Sequence, residues 1–143
     1  MTDLAQTLIE ESEGRSATVY KDTQGYDSIG IGCCVDARVR GCGLCDEAID
    51  VQFAHDSKAA REEAADLPGF GNCNDVRQAV LVSMCFQLGD LHAWPTFKAA
   101  LAIGDYTAAA AAGLNSDWAR TETPVRAKRE MAMLEQGAWI EQT

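Results

Sequence analysis

Two carboxylates and a hydroxyl lie close together near the start of the chain, at Glu13, Asp22 and Ser28. Cleavage of a glycosidic bond requires an acid that protonates the leaving oxygen, and a second carboxylate that activates water or attacks the sugar. These three residues have the types that this reaction needs, although short carboxylate spacings are weak motifs by themselves. The alternative interpretation is a solvated glutamate at a helix end and an ordinary aspartate in a turn.

The first of these residues is predicted to end a helix. Residues 3–13 carry apolar side chains at helical spacing, namely Leu4, Ala5, Leu8 and Ile9. Thr2 or Asp3 is suited to cap the start of this helix, and Gly14 to follow its last residue. Glu13 therefore lies in the last turn, where the negative end of the helix dipole disfavours its ionised form.

The other two residues are predicted to lie on a β-hairpin. Residues 18–32 have strand character on both sides of a type I turn that begins at Asp22 and ends at Gly25. Exposed backbone N–H groups and water at such a turn keep a carboxylate ionised, so the two carboxylates have contrasting surroundings, as an acid–base pair requires. Ser28 lies on the returning strand, where its hydroxyl is expected to hold a water molecule against Asp22.

The rest of the chain is predicted to be a loop followed by helices. The predicted ranges are 33–45 for the loop, 46–66 for a long helix, 75–88, 97–103, a helix opened by Gly104 and Asp105, and a last helix from Pro124 to about 137. Two apolar stripes are predicted: Ile49, Phe53, Ala60 and Ala64 on the long helix, and Val76, Ala79, Val80, Ser83 and Phe86 on the next.

Composition and charge limit the classes of partner. The chain has 143 residues and a formal net charge of -10, from 22 acidic and 12 basic residues. A nucleic-acid binder needs a basic footprint, so we expect no nucleic-acid partner. No segment reaches the roughly 20 apolar residues of a membrane span. The first residues lack the basic start and apolar core of a secretory signal, so synthesis in the cytoplasm is expected.

Six cysteines are present, and four of them fall within the predicted loop: Cys33, Cys34, Cys42 and Cys45. Without a secretory signal, reduced thiols are the default expectation. A disulfide within the loop after export is the second interpretation. A zinc site is the third interpretation, since thiolates suit a tetrahedral zinc ion. It ranks last because the adjacent Cys33 and Cys34 are poorly placed to bind one ion together and no histidine lies in the cluster. We therefore expect no metal and no cofactor, and Cys73 and Cys85 are predicted to be small core residues.

Three segments carry a resemblance to one family. Residues 13–32 read E-G-x5-Y-K-D-T-Q-G-Y-D-S-I-G-I-G. This segment closely resembles the catalytic segment of the phage T4-type lysozymes, glycoside hydrolase family 24, whose signature is Glu, eight residues, Asp or Cys, five residues and Thr. V-R-Q-A-V-L-V-S-M-C-F-Q-L-G at 76–89 and W-A-R-T-E-T-P-V-R-A-K-R at 118–129 resemble later segments of that family. With the long helix, the resemblance covers most of the chain.

The resemblance implies an α+β, lysozyme-like fold in a single domain over residues 1–143. Residues 14–45 would form a small β-rich lobe, residues 46–66 a connecting helix, and residues 1–13 together with 67–143 a larger helical lobe. A cleft between the lobes takes the substrate. We expect a monomer whose partner is the glycan strand of peptidoglycan.

The resemblance also implies a reaction, the hydrolysis of the β-1,4 bond between N-acetylmuramic acid and N-acetylglucosamine with inversion. Glu13 is then the general acid, while Asp22 and the Ser28 hydroxyl orient the attacking water. The two carboxyls are expected to stand roughly 6.5–9.5 Å apart. Ser28 replaces the family's threonine and keeps the hydroxyl without the methyl, so we expect activity to be retained at an equal or reduced level.

Residues outside this segment are also assigned roles by the resemblance. Four of them match positions near the family's sugar cleft, although core or rim packing explains each equally well: Phe86, Gln87, Ser116 and Trp118. Arg126 matches an arginine that reaches the general acid across the lobes. A surface arginine on a helix is the alternative interpretation.

Three functions remain open from the sequence. The first is an active endolysin-type lysozyme that causes bacterial lysis, delivered to the periplasm by a holin or a similar route. The second is a non-catalytic peptidoglycan-binding module with a lysozyme-like fold, which the retained Glu13 and Asp22 argue against. The third is a lytic transglycosylase, which uses a lone glutamate, whereas the Asp22–Ser28 arrangement favours water as the nucleophile.

Overall fold

The structure, a computed structural model, describes residues 3–91 and 93–143. These residues form an α+β fold, which confirms the predicted fold class. In chain order the elements are α1 (Leu4–Glu13), β1 (Ser16–Lys21), β2 (Asp27–Gly30), β3 (Cys33–Cys34), α2 (Asp46–Ala65), a 3-10 turn (Phe70–Asn72), α3 (Asp75–Leu88), α4 (Pro95–Ala102), α5 (Tyr106–Leu114), a π-helical turn (Trp118–Glu122) and α6 (Pro124–Gln136).

The chain divides into two compact units, Met1–Gln52 and Phe53–Thr143. The first unit contains α1, the strands and the start of α2, and the second contains the remaining helices. The division into a β-rich lobe, a connecting helix and a helical lobe stays a prediction. Over the described ranges, no helix combines the length and the apolar character needed to cross a bilayer.

Helix α1 begins and ends where the sequence predicts. The Asp3 carboxylate caps it by accepting a hydrogen bond of 2.9 Å from the backbone N–H of Ala5. Thr2, the other predicted cap, lies outside the described residues. Gly14 follows the last helical residue with a φ of 78°, and its N–H donates to the Glu10 carbonyl. The apolar side chains of the helix are exposed: Leu4, Leu8 and Ile9.

The predicted hairpin forms, and a third strand extends it. Strands β1 and β2 are antiparallel, with Tyr20 opposite Ser28, and the Gly25 N–H closes the turn on the Asp22 carbonyl at 3.0 Å. Strand β3 pairs with the other edge of β2 and places Cys34 opposite Ser28. The predicted loop is therefore wrong at its first two residues, because the open edge of β2 offers hydrogen-bonding groups to the segment that returns beside it.

A disulfide between Cys34 and Cys42 corrects the expectation of reduced thiols in the loop. Their Cα atoms lie 5.3 Å apart, a separation typical of a disulfide, and the interpretation of a bridge within the loop is confirmed. Cys33 and Cys45 are free thiols. Among the residues that the structure covers, no three His, Cys, Asp or Glu side chains form a group able to hold a metal ion.

The second unit is built around a core of helix-borne apolar side chains. Helix α6 packs on α3 and α5, and α4 packs on α5. Cys73 and Cys85 are buried in this core, as predicted. The largest fully buried side chains come from three helices, α3, α4 and α6, and from the π-helical turn: Trp118, Phe97, Leu81, Met84, Leu101, Met131, Leu134 and Val80.

The predicted apolar stripes are partly wrong. On α3 the buried positions are Val80, Leu81, Met84 and Cys85, whereas Ala79 and Phe86 are exposed. Apolar residues surround most of this helix, so periodicity alone does not select the face that packs. On α2 the predicted Ala60 and Ala64 are buried, but Ile49 and Phe53 are exposed.

The start of α4 also differs from the sequence prediction of 97. Pro95 is the first helical residue. The N–H groups in the first turn of a helix have no partner within the helix, so a proline, which lacks an N–H, is tolerated there.

A glycine pair tests the packing of the second unit. Gly69 has a φ of +80°, and an added Cβ would collide with the Leu101 backbone carbonyl, whereas a Cβ at Gly71 meets nothing within 4 Å. We expect Gly69→Ala to lower the free energy of unfolding by about 2 kcal/mol or more. Gly71→Ala should change it by less than about 0.5 kcal/mol. Urea unfolding followed by circular dichroism measures both, and equal values for the two variants would contradict this packing.

Candidate active site

Glu13 is the last residue of α1, and its side chain is exposed. Gly14 leaves the helix immediately afterwards, so Glu13 lies in the final turn. The predicted position of Glu13 in the last turn of the helix is confirmed, and its role as an acid stays a prediction.

The Glu13 carboxylate lies directly against the backbone at Gly32, just beyond β2. A Cβ added to Gly32 would lie 2.8 Å from Glu13 Oε2 and 3.0 Å from its carboxyl carbon. Any larger residue would therefore displace the carboxylate. Gly32 also has a φ of +66°, which glycine adopts without strain.

Asp22 is held by the backbone of its own turn. Its Oδ1 accepts hydrogen bonds from the N–H groups of Gln24 at 2.8 Å and Tyr26 at 2.9 Å. The Asp22 N–H in turn donates to the Tyr26 carbonyl at 2.8 Å. Both of these bonds end on Oδ1, and within residues 3–91 and 93–143 no hydrogen bond to Oδ2 is seen. The arrangement fixes the orientation of the carboxylate without a second side chain.

Ser28 lies in the central strand of the sheet and is 4% exposed. It stands between Tyr20 of β1 and Cys34 of β3 in the strand register. Side chains alternate along a strand, so Ser28 is on the face opposite Asp27, whose carboxylate pairs with Lys21. Glu13, Asp22 and Ser28 all lie in the first compact unit, and their joint role stays a prediction.

Two residues next to this site were not singled out from the sequence, Asp36 and Arg38. The Asp36 carboxylate is buried and accepts hydrogen bonds from the Arg38 guanidinium and from the backbone N–H groups of Asp27 and Arg38. The guanidinium first, and then these N–H groups, hold the pKa of Asp36 well below its usual range. The spacing Asp-x-Arg was the only sequence signal, and it is too common to be informative.

Two of the four predicted sugar-contact residues line one pocket of the second unit. Ser116 and Trp118 border a pocket of about 470 Å³ that also contains Trp94 and Arg120. Trp118 is only 1% exposed, and its indole N–H donates to the Gln87 side-chain oxygen at 2.8 Å. Gln87 in turn donates to the Thr123 hydroxyl at 3.0 Å. These contacts make Gln87 and Trp118 part of one packed unit beneath the pocket.

Phe86 lies on a different pocket from Ser116 and Trp118. It is 47% exposed and packs against Phe53, with ring centres 5.9 Å apart. The two rings border a mostly apolar pocket of about 660 Å³. The structure therefore does not bring all four predicted contact residues to one pocket, and their sugar contacts stay predictions.

Arg126, predicted to reach Glu13, is hydrogen-bonded within its own unit. Its Nε donates to Glu130 Oε1 at 2.9 Å, and its Nη2 donates to the Ser83 hydroxyl at 2.7 Å. Ser83 also donates to Glu130 Oε1 at 2.6 Å. Glu130 is buried, and its Oε2 has no hydrogen-bond partner in the described part of the chain. Pairing between Arg126 and Glu13 stays a prediction.

Neither buried cysteine of the second unit has the surroundings of a reactive thiol. Burial, with smaller contributions from Glu63 and Asp90, raises the pKa of the Cys85 thiol to about 11. A thiol in this state is mostly protonated near neutral pH and is a poor nucleophile. Cys73 packs with its sulfur 3.7 Å from the Tyr106 hydroxyl. Both residues therefore serve the core.

The α+β fold, with a small antiparallel sheet and several helices, is consistent with a lysozyme-like protein, and a comparison with known families agrees. The model of the family described as phage lysozyme matches residues 10–134. Since this match spans most of the chain, the protein belongs to the phage lysozyme family and is a lysozyme-type peptidoglycan hydrolase. No individual curated protein matches the chain.

A second glycine pair tests the contact between Glu13 and the sheet. Gly32 and Gly30 have similar positive φ values of +66° and +68°, but a Cβ at Gly30 meets nothing within 4 Å. We expect Gly32→Ala and Gly30→Ala each to lose about 1–2 kcal/mol of stability from backbone strain. Only Gly32→Ala should also lose peptidoglycan hydrolysis, by about tenfold or more, because it displaces the Glu13 carboxylate. Equal rates for the two folded variants would contradict the contact.

The ion pair between Asp36 and Arg38 predicts how the stability of the folded protein depends on pH. The pKa of Asp36 is lower in the folded protein than in the unfolded chain, where it is about 4. The carboxylate therefore contributes to the free energy of unfolding above about pH 4. This contribution is lost as the pH falls through the lower pKa of the folded state. The melting temperature of the wild type should therefore fall more steeply between about pH 5 and 2.5 than that of Asp36→Asn. Asp50→Asn, an exposed position on α2, is the control and should follow the wild type. Parallel curves for all three proteins would refute the prediction.

Proposed function

We propose that the protein is a muramidase that hydrolyses the β-1,4 bond between N-acetylmuramic acid and N-acetylglucosamine, with inversion and with Glu13 as general acid. The observation that supports this most is the position of the Glu13 carboxylate, at the negative end of a helix and against the backbone at Gly32. In the proposed reaction this exposed carboxyl group gives its proton to the leaving oxygen. The missing side chain at Gly32 lets the carboxyl group stay exposed at one defined place.

The nucleophile in this proposal is water. Asp22 is fixed by two backbone N–H groups on Oδ1, which leaves Oδ2 to accept a hydrogen bond from the attacking water. The Ser28 hydroxyl supplies a second contact to that water. Such a pair of contacts removes freedom of motion before the reaction and aligns the lone pair of the water with the anomeric carbon. Inversion follows, because the acid and the water act on opposite faces of the sugar ring.

Sugar recognition is assigned to the predicted contact residues of the second unit. Ser116 and Trp118 border a pocket that combines aromatic rings with hydroxyl, amide and guanidinium groups, a combination that suits a glycan. Gln87 contributes by holding the indole of Trp118. Phe86 provides an exposed aromatic surface elsewhere in the unit.

The biological role that fits this activity is lysis of a bacterial cell by degradation of its wall. The net charge of -10 gives little electrostatic attraction to an anionic wall, so in this proposal binding comes from specific contacts with the sugar. We propose that another protein, such as a holin, gives the enzyme access to the periplasm. The disulfide between Cys34 and Cys42 agrees with work in an oxidising compartment.

A matched pair of glutamate variants tests the assignment of the acid. We expect Glu13→Gln to lower the release of reducing ends from purified sacculi by roughly 10²- to 10⁴-fold, because glutamine keeps the shape but cannot donate the proton. Glu11→Gln removes the same charge from the same helix at another exposed position and should stay within twofold of the wild type.

The outcomes of this experiment separate the competing functions. Comparable rates for Glu13→Gln and the wild type would refute the proposed acid. A wild-type protein that binds sacculi but releases no fragments would show a non-catalytic binding module instead.

A further inference from the structure

The loop between β3 and α2 reaches back to the hairpin through one buried carboxylate. Asp36 is 3% exposed, and its Oδ2 accepts a hydrogen bond of 2.9 Å from the N–H of Asp27, the first residue of β2. Its Oδ1 accepts the N–H of Arg38 at 2.9 Å. The Arg38 guanidinium binds the same carboxylate through Nε at 2.9 Å and Nη2 at 2.6 Å. This two-pronged geometry is the most directional ion pair available to side chains.

The same arginine contacts the turn that carries Asp22. Its Nη2 donates to the Gly25 carbonyl at 3.2 Å, and its guanidinium lies 5.5 Å from the centre of the Tyr26 ring. Gly25 and Tyr26 are themselves hydrogen-bonded to Asp22, through its carbonyl and its carboxylate respectively. Arg38 therefore touches two of the three residues whose N–H groups donate to Asp22. The third is Gln24.

We propose that Asp36 and Arg38 are positioning residues that clamp the segment from Asp22 to Ser28 in the arrangement needed to hold the attacking water. The inference rests on the function proposed above and extends it to two residues outside the segment 13–32 that carries Glu13, Asp22 and Ser28. Asp36 fixes the end of the segment next to Ser28, and Arg38 fixes the turn next to Asp22. Both act through the backbone of the hairpin, so their effect is on turnover more than on substrate binding.

The loop is built to hold this pair rigidly. The disulfide between Cys34 and Cys42 closes a loop that contains both residues, and the Gly43 N–H donates to the Cys34 carbonyl at 2.9 Å. Cys34 is also the residue opposite Ser28 in the sheet. A short cross-linked loop has few alternative conformations, so the carboxylate and the guanidinium are already in place before substrate binds.

The test compares two arginines of the same loop in the full-length protein. Arg38→Gln removes the ion pair and the contact with the turn, whereas Arg40→Gln removes an equal charge at an exposed position two residues further on. We expect Arg38→Gln to lower kcat on purified sacculi by about tenfold with KM changed less than twofold. Arg40→Gln should match the wild type. Rates are corrected for the folded fraction, measured by circular dichroism at the assay temperature.

A second measurement reports on the rigidity of the hairpin independently of catalysis. Amide hydrogen exchange measured by NMR should be about tenfold faster in Arg38→Gln at the N–H groups of Asp27, Gln24 and Tyr26. The same groups in Arg40→Gln should exchange at wild-type rates. A folded Arg38→Gln protein with wild-type kcat, or with unchanged exchange at these groups, would overturn the proposal.

A conservative variant covers the case in which Arg38→Gln does not fold. Arg38→Lys keeps the charge but loses the forked geometry, and it should lower kcat at least threefold relative to Arg40→Lys. Equal kcat values for these two would also overturn the clamp. Failure of the proposed function is a separate result, since it appears as equal rates for the wild type and Glu13→Gln whatever the Arg38 variants do.

Discussion

The close approach between the Glu13 carboxylate and the backbone at Gly32 is the constraint on which the site depends. The helix end and the sheet meet at this point, and the space is available only because Gly32 has no side chain. In the proposed mechanism Glu13 is the acid, which must be presented at a fixed distance from its partner. The Asp3 cap and the Gly14 stop fix the length of the helix, and Gly32 leaves the space that the Glu13 carboxylate occupies.

The second half of the site is fixed by backbone groups instead of by a core. Asp22 is held by amide N–H groups of its own turn, and Ser28 by its place in the middle of a three-stranded sheet. A sheet of this size buries little apolar surface, so hydrogen bonds and the cross-linked loop must supply its rigidity. The buried Asp36 carboxylate joins these parts, because its partners include both the strand and the arginine that touches the turn.

Local sequence rules predicted the elements that carry the candidate site, and non-local pairing explains what they missed. The cap at Asp3, the stop at Gly14 and the turn that begins at Asp22 depend on neighbouring residues, so the ends of α1 and the hairpin followed from the sequence. Strand β3 and the Cys34–Cys42 bridge depend on which segments meet in space. The packed face of α3 was mispredicted, since apolar residues occupy most sides of that helix.

The masses of the fragments that the wild-type protein releases from purified sacculi test the central claim most directly. If Glu13 protonates the leaving oxygen while Asp22 and Ser28 deliver water, each cut bond gains one water and leaves a reducible muramic acid end. Fragments with these hydrated ends are the predicted result. Fragments lighter by one water, with anhydromuramic ends as the main product, would show attack from within the sugar and would contradict the account.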